Sequence, residues 1–458
     1  MKITTVNPAT EQELHSYDSY SSDAVHEIVN SVDESFAVWG AQSIRERMAC
    51  FSRAATHLRS NIDAYAGLIT REMGKPIREA RAEIEKCAWC CDTYAEHAAS
   101  WLTDEKSLAD GIEHRIVYRP LGVILAVMPW NYPFWQVFRC AVPVMSAGNT
   151  IVLKHASSVS GCALACENVF AAAGFPENSF RTVLADYQTV NDLLAGPVVQ
   201  GLSLTGSTSA GMRLGEIAGK YMKKMVLELG GSDPFIVLPD ADIDFCATAA
   251  VKGRFQNCGQ SCIAAKRFIV HAGIVDEFAD AFAHKAGELN VGNPLDEATD
   301  MGPLVNSTSL QEIQQQLADA CSSGATVLTG GTRVGDRGFF FGPTVVKNVT
   351  RRMKIFTEEV FGPVAAIVPY NDLDEALDLA NECEYGLGGS VWTRDLDKGR
   401  ELALNIEAGA VFVNSITRSD PRMPLGGIKM SGVGRELAWF GLKEFTNIKG
   451  LNVYAHKA

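Results

Sequence analysis

The sequence predicts an α/β protein with mainly parallel sheet, folded in two lobes. Three observations carry this. Short apolar runs such as Ile151-Val152-Leu153 read as strands buried on both faces. They alternate with stretches whose apolar residues recur three and four apart, as on one face of a helix. Finally, Gly201-Leu202-Ser203-Leu204 enters Thr205-Gly206-Ser207-Thr208-Ser209-Ala210-Gly211 and then a helical pattern. That is a strand, a glycine-containing turn and a helix N-terminus, the local unit of a wound sheet.

The elements follow in order. Residues 21–100 are rich in Ala, Glu and Arg with helical spacing. Strands are predicted over 112–117 and 122–128, then at 151–153. A helix over 160–173 stops at Gly174, with Pro176 beyond, a common helix ending. Past Glu228 the alternation resumes, with strands at 234–238, 267–271 and 325–328 and a helix over 276–289. The end, 448–454, reads as a strand after the glycine-rich stretch 424–435. A terminal strand of this kind pairs within its own chain or joins a neighbouring subunit's sheet edge.

Composition narrows the function. At 458 residues the chain needs two or three domains. Hydrophobic content of 47% and charged content of 21% are those of an ordinary globular protein. With 41 basic and 54 acidic residues the net charge is −13, which argues against nucleic acid or an anionic membrane as a partner. No apolar run reaches the roughly 18 residues of a membrane span, and the N-terminus carries no signal-peptide pattern. A cytoplasmic location follows by default. The 12 cysteines are too few for a disulfide scaffold, so most should be free and buried. Cys87-Ala88-Trp89-Cys90-Cys91 holds a C-x-x-C, but without a partner motif or a βαβ context it reads as cysteines packed in a helix. No metal site is expected.

No G-x-G-x-x-G dinucleotide fingerprint is present: Gly432-Val433-Gly434 fails at the third glycine. Gly206 and Gly211 have P-loop spacing, but Met212-Arg213 follows where a P-loop has Lys and Ser or Thr. The turn at Gly206 still offers free N–H groups and a helix dipole to an anion. The most reactive-looking residue is Cys262, in Asn257-Cys258-Gly259-Gln260-Ser261-Cys262, a small polar turn that could leave a thiol at a cleft. A cysteine serves as a nucleophile when its surroundings favour the thiolate. Glu228, among leucines and glycines in Leu227-Glu228-Leu229-Gly230-Gly231, is its candidate acid-base partner. Desolvation there raises a carboxyl's pKa toward neutrality.

These segments belong to a longer series. Val6-Asn7-Pro8-Ala9-Thr10, Pro129-Trp130-Asn131-Tyr132-Pro133, Leu204-Thr205-Gly206-Ser207-Thr208, Glu358-Glu359-Val360-Phe361-Gly362-Pro363-Val364 and Pro424-Leu425-Gly426-Gly427-Ile428-Lys429-Met430-Ser431-Gly432 complete it. In this order and spacing, over essentially the whole chain, they resemble the NAD(P)-dependent aldehyde dehydrogenase superfamily. The resemblance implies a Rossmann-type cofactor domain (1–103 and 121–229), an α/β catalytic domain (230–445) and a small β oligomerisation arm (104–120 and 446–458), assembled as a homodimer or homotetramer.

It also implies roles. Cys262 would attack the aldehyde, Asn131 and the Cys262 backbone N–H would stabilise the oxyanion, and Glu228 would activate the water that hydrolyses the thioester. Relatives that pass the acyl group to coenzyme A typically lack this acid, so a hydrolytic, non-acylating route is implied. Lys154 would bond the adenosine ribose, and Gly206 and Ser207 the pyrophosphate. Glu359 would bond the nicotinamide ribose, with Phe361 packing nearby. Gly230 would allow close approach to the nicotinamide, and Trp130 would line the groove. Many NAD-preferring relatives have an acidic residue where this chain has Ser157. Its absence predicts that NADP is accepted, with NAD also used.

Arg139 matches the residue with which succinate-semialdehyde dehydrogenases grip the distal carboxylate, a role that suits a guanidinium fork. A second arginine of some of those enzymes is replaced by Gln256, and Arg418 and Ser419 are candidates for the missing contacts. Arg139 in an ion pair inside the domain is the competing reading. Cys258 is a candidate for a regulatory disulfide with Cys262, subject to strict geometry. Two alternatives stay open: a dehydrogenase for an aliphatic or amino aldehyde, and a non-catalytic binding protein with the same fold.

Overall fold

The computed structural model describes residues 2–456. Four helices, Ser22–Ala41, Ile44–Ser60, Ile62–Met73 and Ile77–Trp101, fill the region where helical spacing dominates. Their ends follow local chemistry. Ser43 and Glu46 form a reciprocal capping box at the start of the second helix, and Gly74, at φ 82°, closes the third in the left-handed conformation. Cys87, Cys90 and Cys91 lie buried on the fourth, packed as apolar residues.

A six-stranded sheet comes next. Its order is Gly432–Val433, Lys224–Glu228, Val199–Thr205, Val123–Met128, Thr150–His155, Phe180–Thr182, parallel except for the first pair. The run Val123-Ile124-Leu125-Ala126 explains why this sheet is covered on both sides. Ile124 and Ala126 enter one core with Phe138 and Phe170, while Val123 and Leu125 enter another with Val25 and Leu202. From Val123–Met128 the chain adds strands first on one side and then on the other. The carboxyl ends of Val123–Met128 and Val199–Thr205 therefore flank a topological switch point, where ligands bind in such sheets.

The second sheet has seven strands in the order Thr326–Thr329, Thr344–Lys347, Val364–Tyr370, Ala265–His271, Asp233–Val237, Gly388–Trp392, Ala410–Val413. Only the first pair is antiparallel. Phe235, Phe268 and Trp392 lie in its own core.

The chain's last strand, Thr446–Val453, pairs antiparallel with Glu113–Pro120 of the same chain, which also pairs with Glu105–Lys106. Of the two pairings the sequence allowed, the internal one forms. Two features differ from the sequence reading. A hairpin of Lys2–Val6 and Glu13–Asp18 opens the chain where no strand was predicted. In addition, Leu425, Leu437, Leu442 and Phe445 pack in the core of the first sheet, although 230–445 was expected to form the second unit. The reason is an open sheet edge at Lys224–Glu228, which Gly432–Val433 pairs and covers. Among the described residues, no helix is long and apolar enough to cross a membrane.

Gly432 makes that crossing possible. Its φ is 136°, and a Cβ there would lie 1.8 Å from the Leu227 carbonyl oxygen. Gly432→Val should therefore lower the stability of this lobe by about 3 kcal/mol, read from urea unfolding. An unchanged midpoint would contradict the close approach.

Candidate active site

The loop that carries Cys262 is built by a chain reversal. Helix Ile243–Phe255 ends, and Asn257, Cys258 and Gly259 follow with φ of 53°, 55° and 70°. Three successive left-handed residues need support. Asn257 Nδ2 donates to the carbonyls of Asn131 (2.8 Å) and Gln260 (3.2 Å). The Asn257 N–H donates to Glu79 Oε2 (2.9 Å), and the Val305 N–H to Gln260 Oε1 (2.9 Å). A Cβ on Gly259 would lie 2.4 Å from the Gly362 carbonyl oxygen, so only glycine fits. Beyond the turn, Lys266 Nζ donates to the carbonyls of Ser261 (2.9 Å) and Cys262 (2.7 Å).

Cys262 stands on the walls of two cavities. The first, of about 330 Å³, lies at the switch point of the six-stranded sheet. Trp130 and Asn131 line it just past strand Val123–Met128, Gly206 and Ser207 past Val199–Thr205, and Gly230 past Lys224–Glu228. Glu359 and Phe361, just before strand Val364–Tyr370, close it from the second sheet. Trp130 and Phe361 meet edge to face, 5.8 Å between centroids. Gly230 leaves room for Glu359, whose Oε2 would be 2.6 Å from a Cβ. Ser207 caps helix Thr208–Lys220, so a helix N-terminus opens on this wall, and Thr208 Oγ1 is buried there without a partner. Both suit an anionic group such as a pyrophosphate. Lys154 and Ser157 lie apart, along the next strand. Lys154 Nζ stands 4.8 Å over the Tyr187 ring, and Ser157 is exposed at the start of a short turn.

The second cavity, of about 180 Å³, is lined by Arg139, Arg418 and Ser419 with Cys262. Gln256 and Lys86 share its wall. Arg139 is not the free fork expected from sequence. Its guanidinium is ion-paired with Glu436, donates to Thr205 Oγ1 at 3.1 Å and lies 3.9 Å from Glu228 Oε2. The competing ion-pair reading describes its contacts, while its position remains on the cavity wall. Arg418 is exposed and Ser419 buried.

Glu228 lies behind both walls, buried beside Gly426, where a Cβ would come within 2.9 Å of Oε1. Burial pushes its carboxyl up to about 8; Arg139 opposes this and Glu436 adds to it. Glu436 is raised by burial too, against Arg139. One guanidinium thus serves two buried carboxyls, and they cannot both ionise cheaply. Burial likewise pushes the Cys262 thiol up to about 11, with Arg139 and Lys266 pulling the other way. The polar turn therefore does not favour the thiolate as expected: Cys262 is only half-buried as a residue, yet desolvation still dominates its thiol. Asn131 Nδ2 donates to the Gln260 carbonyl (3.1 Å), leaving one of its two amide hydrogens available. The Cys262 N–H has no acceptor among the described residues.

Cys258 packs in the core of the second sheet, and burial raises its thiol. All twelve cysteines are free. Cys258 and Cys262 are not bridged in this structure, and the left-handed backbone turns the Cys258 side chain into the interior. Glu436, Gln136, Lys266 and Lys86 also belong to the site, and sequence reasoning missed them. Lys86 looked like any charged residue on an amphipathic helix, and no motif marks the others.

With this geometry, the comparisons with known proteins are direct. The model of the aldehyde dehydrogenase family matches residues 1–451, and the chain belongs to that family. Succinate-semialdehyde dehydrogenase (NADP+) 1 of Mycobacterium tuberculosis is 45% identical over 452 residues, covering 98% of this chain and 99% of that protein. The crystal structure of succinic semialdehyde dehydrogenase from Streptococcus pyogenes in complex with NADP+ superposes with a TM-score of 0.97 at 34% identity, over 99% of this chain and 100% of that one. An NAD-dependent aldehyde dehydrogenase from Sinorhizobium meliloti also reaches 0.97, at 32% identity, over 100% and 92%.

The raised Glu228 carboxyl has a thermodynamic signature. The folded state holds its proton up to about pH 8, the unfolded chain only to about 4.5. The folded protein therefore binds more protons across that window, and stability falls as pH rises through it. Glu228→Gln removes this loss. The variant should gain in Tm relative to the parent between pH 5 and pH 8; a difference that stays flat with pH would rule the shift out.

Proposed function

We propose that this chain oxidises succinate semialdehyde to succinate, with NADP+ as hydride acceptor and NAD+ as a second acceptor, by a non-acylating route. The observation that carries the reading is the position of Cys262 on both cavity walls. One wall suits a dinucleotide, and the other, smaller cavity carries cationic side chains that suit a carboxylate. The two relatives named for the succinate semialdehyde reaction, both with NADP+, support the substrate and cofactor.

Each role follows from placement. The Cys262 thiol gives its proton to solvent, and the resulting thiolate attacks the aldehyde carbon to form a thiohemiacetal. The spare Asn131 amide hydrogen and the Cys262 N–H donate to the oxygen as it becomes negative. A bound NADP+ would supply the hydride acceptor, and the thiohemiacetal carbon, on losing its hydride, becomes a thioester on the Cys262 sulfur. Glu228 then accepts a proton from water, the water oxygen adds to the acyl carbon, and the acid leaves as the Cys262 sulfur is released. In its ionised form Glu228 is the base, so the rate of this step rises with pH through about 8.

The remaining assignments are positional. Trp130, Gly206, Ser207, Gly230, Glu359 and Phe361 hold the nicotinamide, its ribose and the pyrophosphate. Lys154 and Ser157, further along the sheet, hold the adenosine ribose, and Ser157 brings no carboxylate to repel a 2′-phosphate. Arg139, Arg418 and Ser419 face the substrate. We assign 1–103 and 121–229 to cofactor binding, 230–445 to catalysis with its end, from Leu425 on, packed against the first sheet, and 104–120 with 446–458 to assembly as a homodimer or homotetramer. Ile448, Leu451 and Tyr454 are exposed on that arm, which supports its burial by a second copy. The free cysteines support a reducing, cytoplasmic setting.

A direct test is the absorbance of NADPH and NADH formed across a panel of aldehydes. Succinate semialdehyde should give the highest kcat/KM, and NADP+ should be reduced; strict refusal of NADP+ would sink the cofactor assignment. Glu228→Gln should release a burst of about one NADPH per active site and then turn over about 100-fold more slowly than the parent. A variant that shows no burst, or no slowing, would take Glu228 out of the hydrolytic step.

A further inference from the structure

The cavity beside Cys262 has a charge problem that Arg139 does not solve. A substrate carboxylate brought to Arg139 would be the third carboxyl on one guanidinium, after Glu436 and Glu228. The acids on the wall are accounted for in a different way. Glu83 is ion-paired with Lys75 and accepts the N–H groups of Phe134 (2.8 Å) and Trp135 (3.0 Å). Glu79 accepts the Asn257 N–H at 2.9 Å.

Lys86 is different. It rises from helix Ile77–Trp101 onto the same cavity wall as Cys262. Among the described residues, its Nζ has no carboxylate within ion-pair distance. Its contacts are the Ser419 hydroxyl, which accepts at 2.6 Å, and the Trp135 ring, 4.4 Å from the ammonium. Burial, then the Arg139 charge, bring its pKa down to about 8. A half-buried ammonium with no counter-ion gains from any anion that reaches it. Ser419 is buried, and its oxygen accepts from Lys86, which leaves its own O–H available to donate.

We infer that Lys86 is the cation that takes the distal carboxylate of the aldehyde, with the Ser419 hydroxyl as its companion donor, while Arg139 holds the two buried glutamates. This rests on the activity proposed above. Lys86 is then a specificity residue: it contacts the non-reacting end of the substrate, four carbons of chain away from the sulfur in total length, and takes no part in bond making. A charged hydrogen bond of this kind is worth about 10- to 100-fold in discrimination.

The test compares kcat/KM for succinate semialdehyde and for butanal, which has the same carbon count and no charge. In the parent, succinate semialdehyde should be preferred. Lys86→Met should cut that preference about 30-fold or more, mainly through KM for succinate semialdehyde, and Lys86→Arg should keep it to within about fivefold. Lys86→Gln serves as the uncharged variant if the methionine does not fold. A parent enzyme with no preference overturns the proposed substrate and the Lys86 role with it. A clear parental preference that survives in both uncharged variants overturns the Lys86 role alone.

Discussion

The site depends on one amide side chain, Asn257. It sits in a left-handed backbone that costs an ordinary residue about 1–2 kcal/mol, and its neighbour Cys258 adds a second such cost. Its Nδ2 group bonds the carbonyl of Asn131 on one side and of Gln260 on the other. Asn131 follows a strand of the first sheet, while Gln260 precedes a strand of the second. A single side chain thus registers the two sheets against each other at the point where the nucleophile and its amide donor must meet. Because these groups are buried, each lost bond leaves an unpaired polar atom, and the geometry is held by that penalty.

Electrostatics takes over where this knot ends. Cys262 and Glu228 are both held toward their neutral forms, and burial is the main cause in each. The cations nearby offset part of that cost. Arg139 divides its charge between Glu228 and Glu436, and Lys266 directs its protons at the carbonyls of Ser261 and Cys262. Immediately around the sulfur, the resting site therefore carries little uncompensated charge. Such a site lets a small aldehyde and a nicotinamide ring approach without displacing tightly bound ions.

Sequence patterns read some layers of this protein well. Strands Val123–Met128, Thr150–His155 and Val199–Thr205 announce themselves because both of their faces are buried, which forces apolar residues at nearly every position. The helix that stops at Gly174 was equally plain. The hairpin Lys2–Val6 with Glu13–Asp18 was not, because it is mostly exposed and its alternation carries few apolar residues. At the site, motif residues such as Asn131, Gly206, Gly230 and Glu359 come together on one wall. What sequence could not convey is direction. It placed Arg139 near the thiol without revealing Glu436, which lies 297 residues further along (436 − 139) and reaches it only through the turn after Gly432. Lys86 was hidden for the opposite reason: a lysine on a long helix is normally a solvated surface group, and only the fold around Trp135 and Ser419 encloses it.

Cys262 and Gln136 are where the walls of the two cavities coincide. The larger chamber and the smaller one are therefore separate rooms with a shared partition. The sulfur belongs to both, so a group bonded to it lies within reach of what either one holds. The arrangement also concentrates vulnerability. A bulky electrophile captured by that single sulfur would obstruct both rooms together, leaving a folded protein with nowhere to receive either guest.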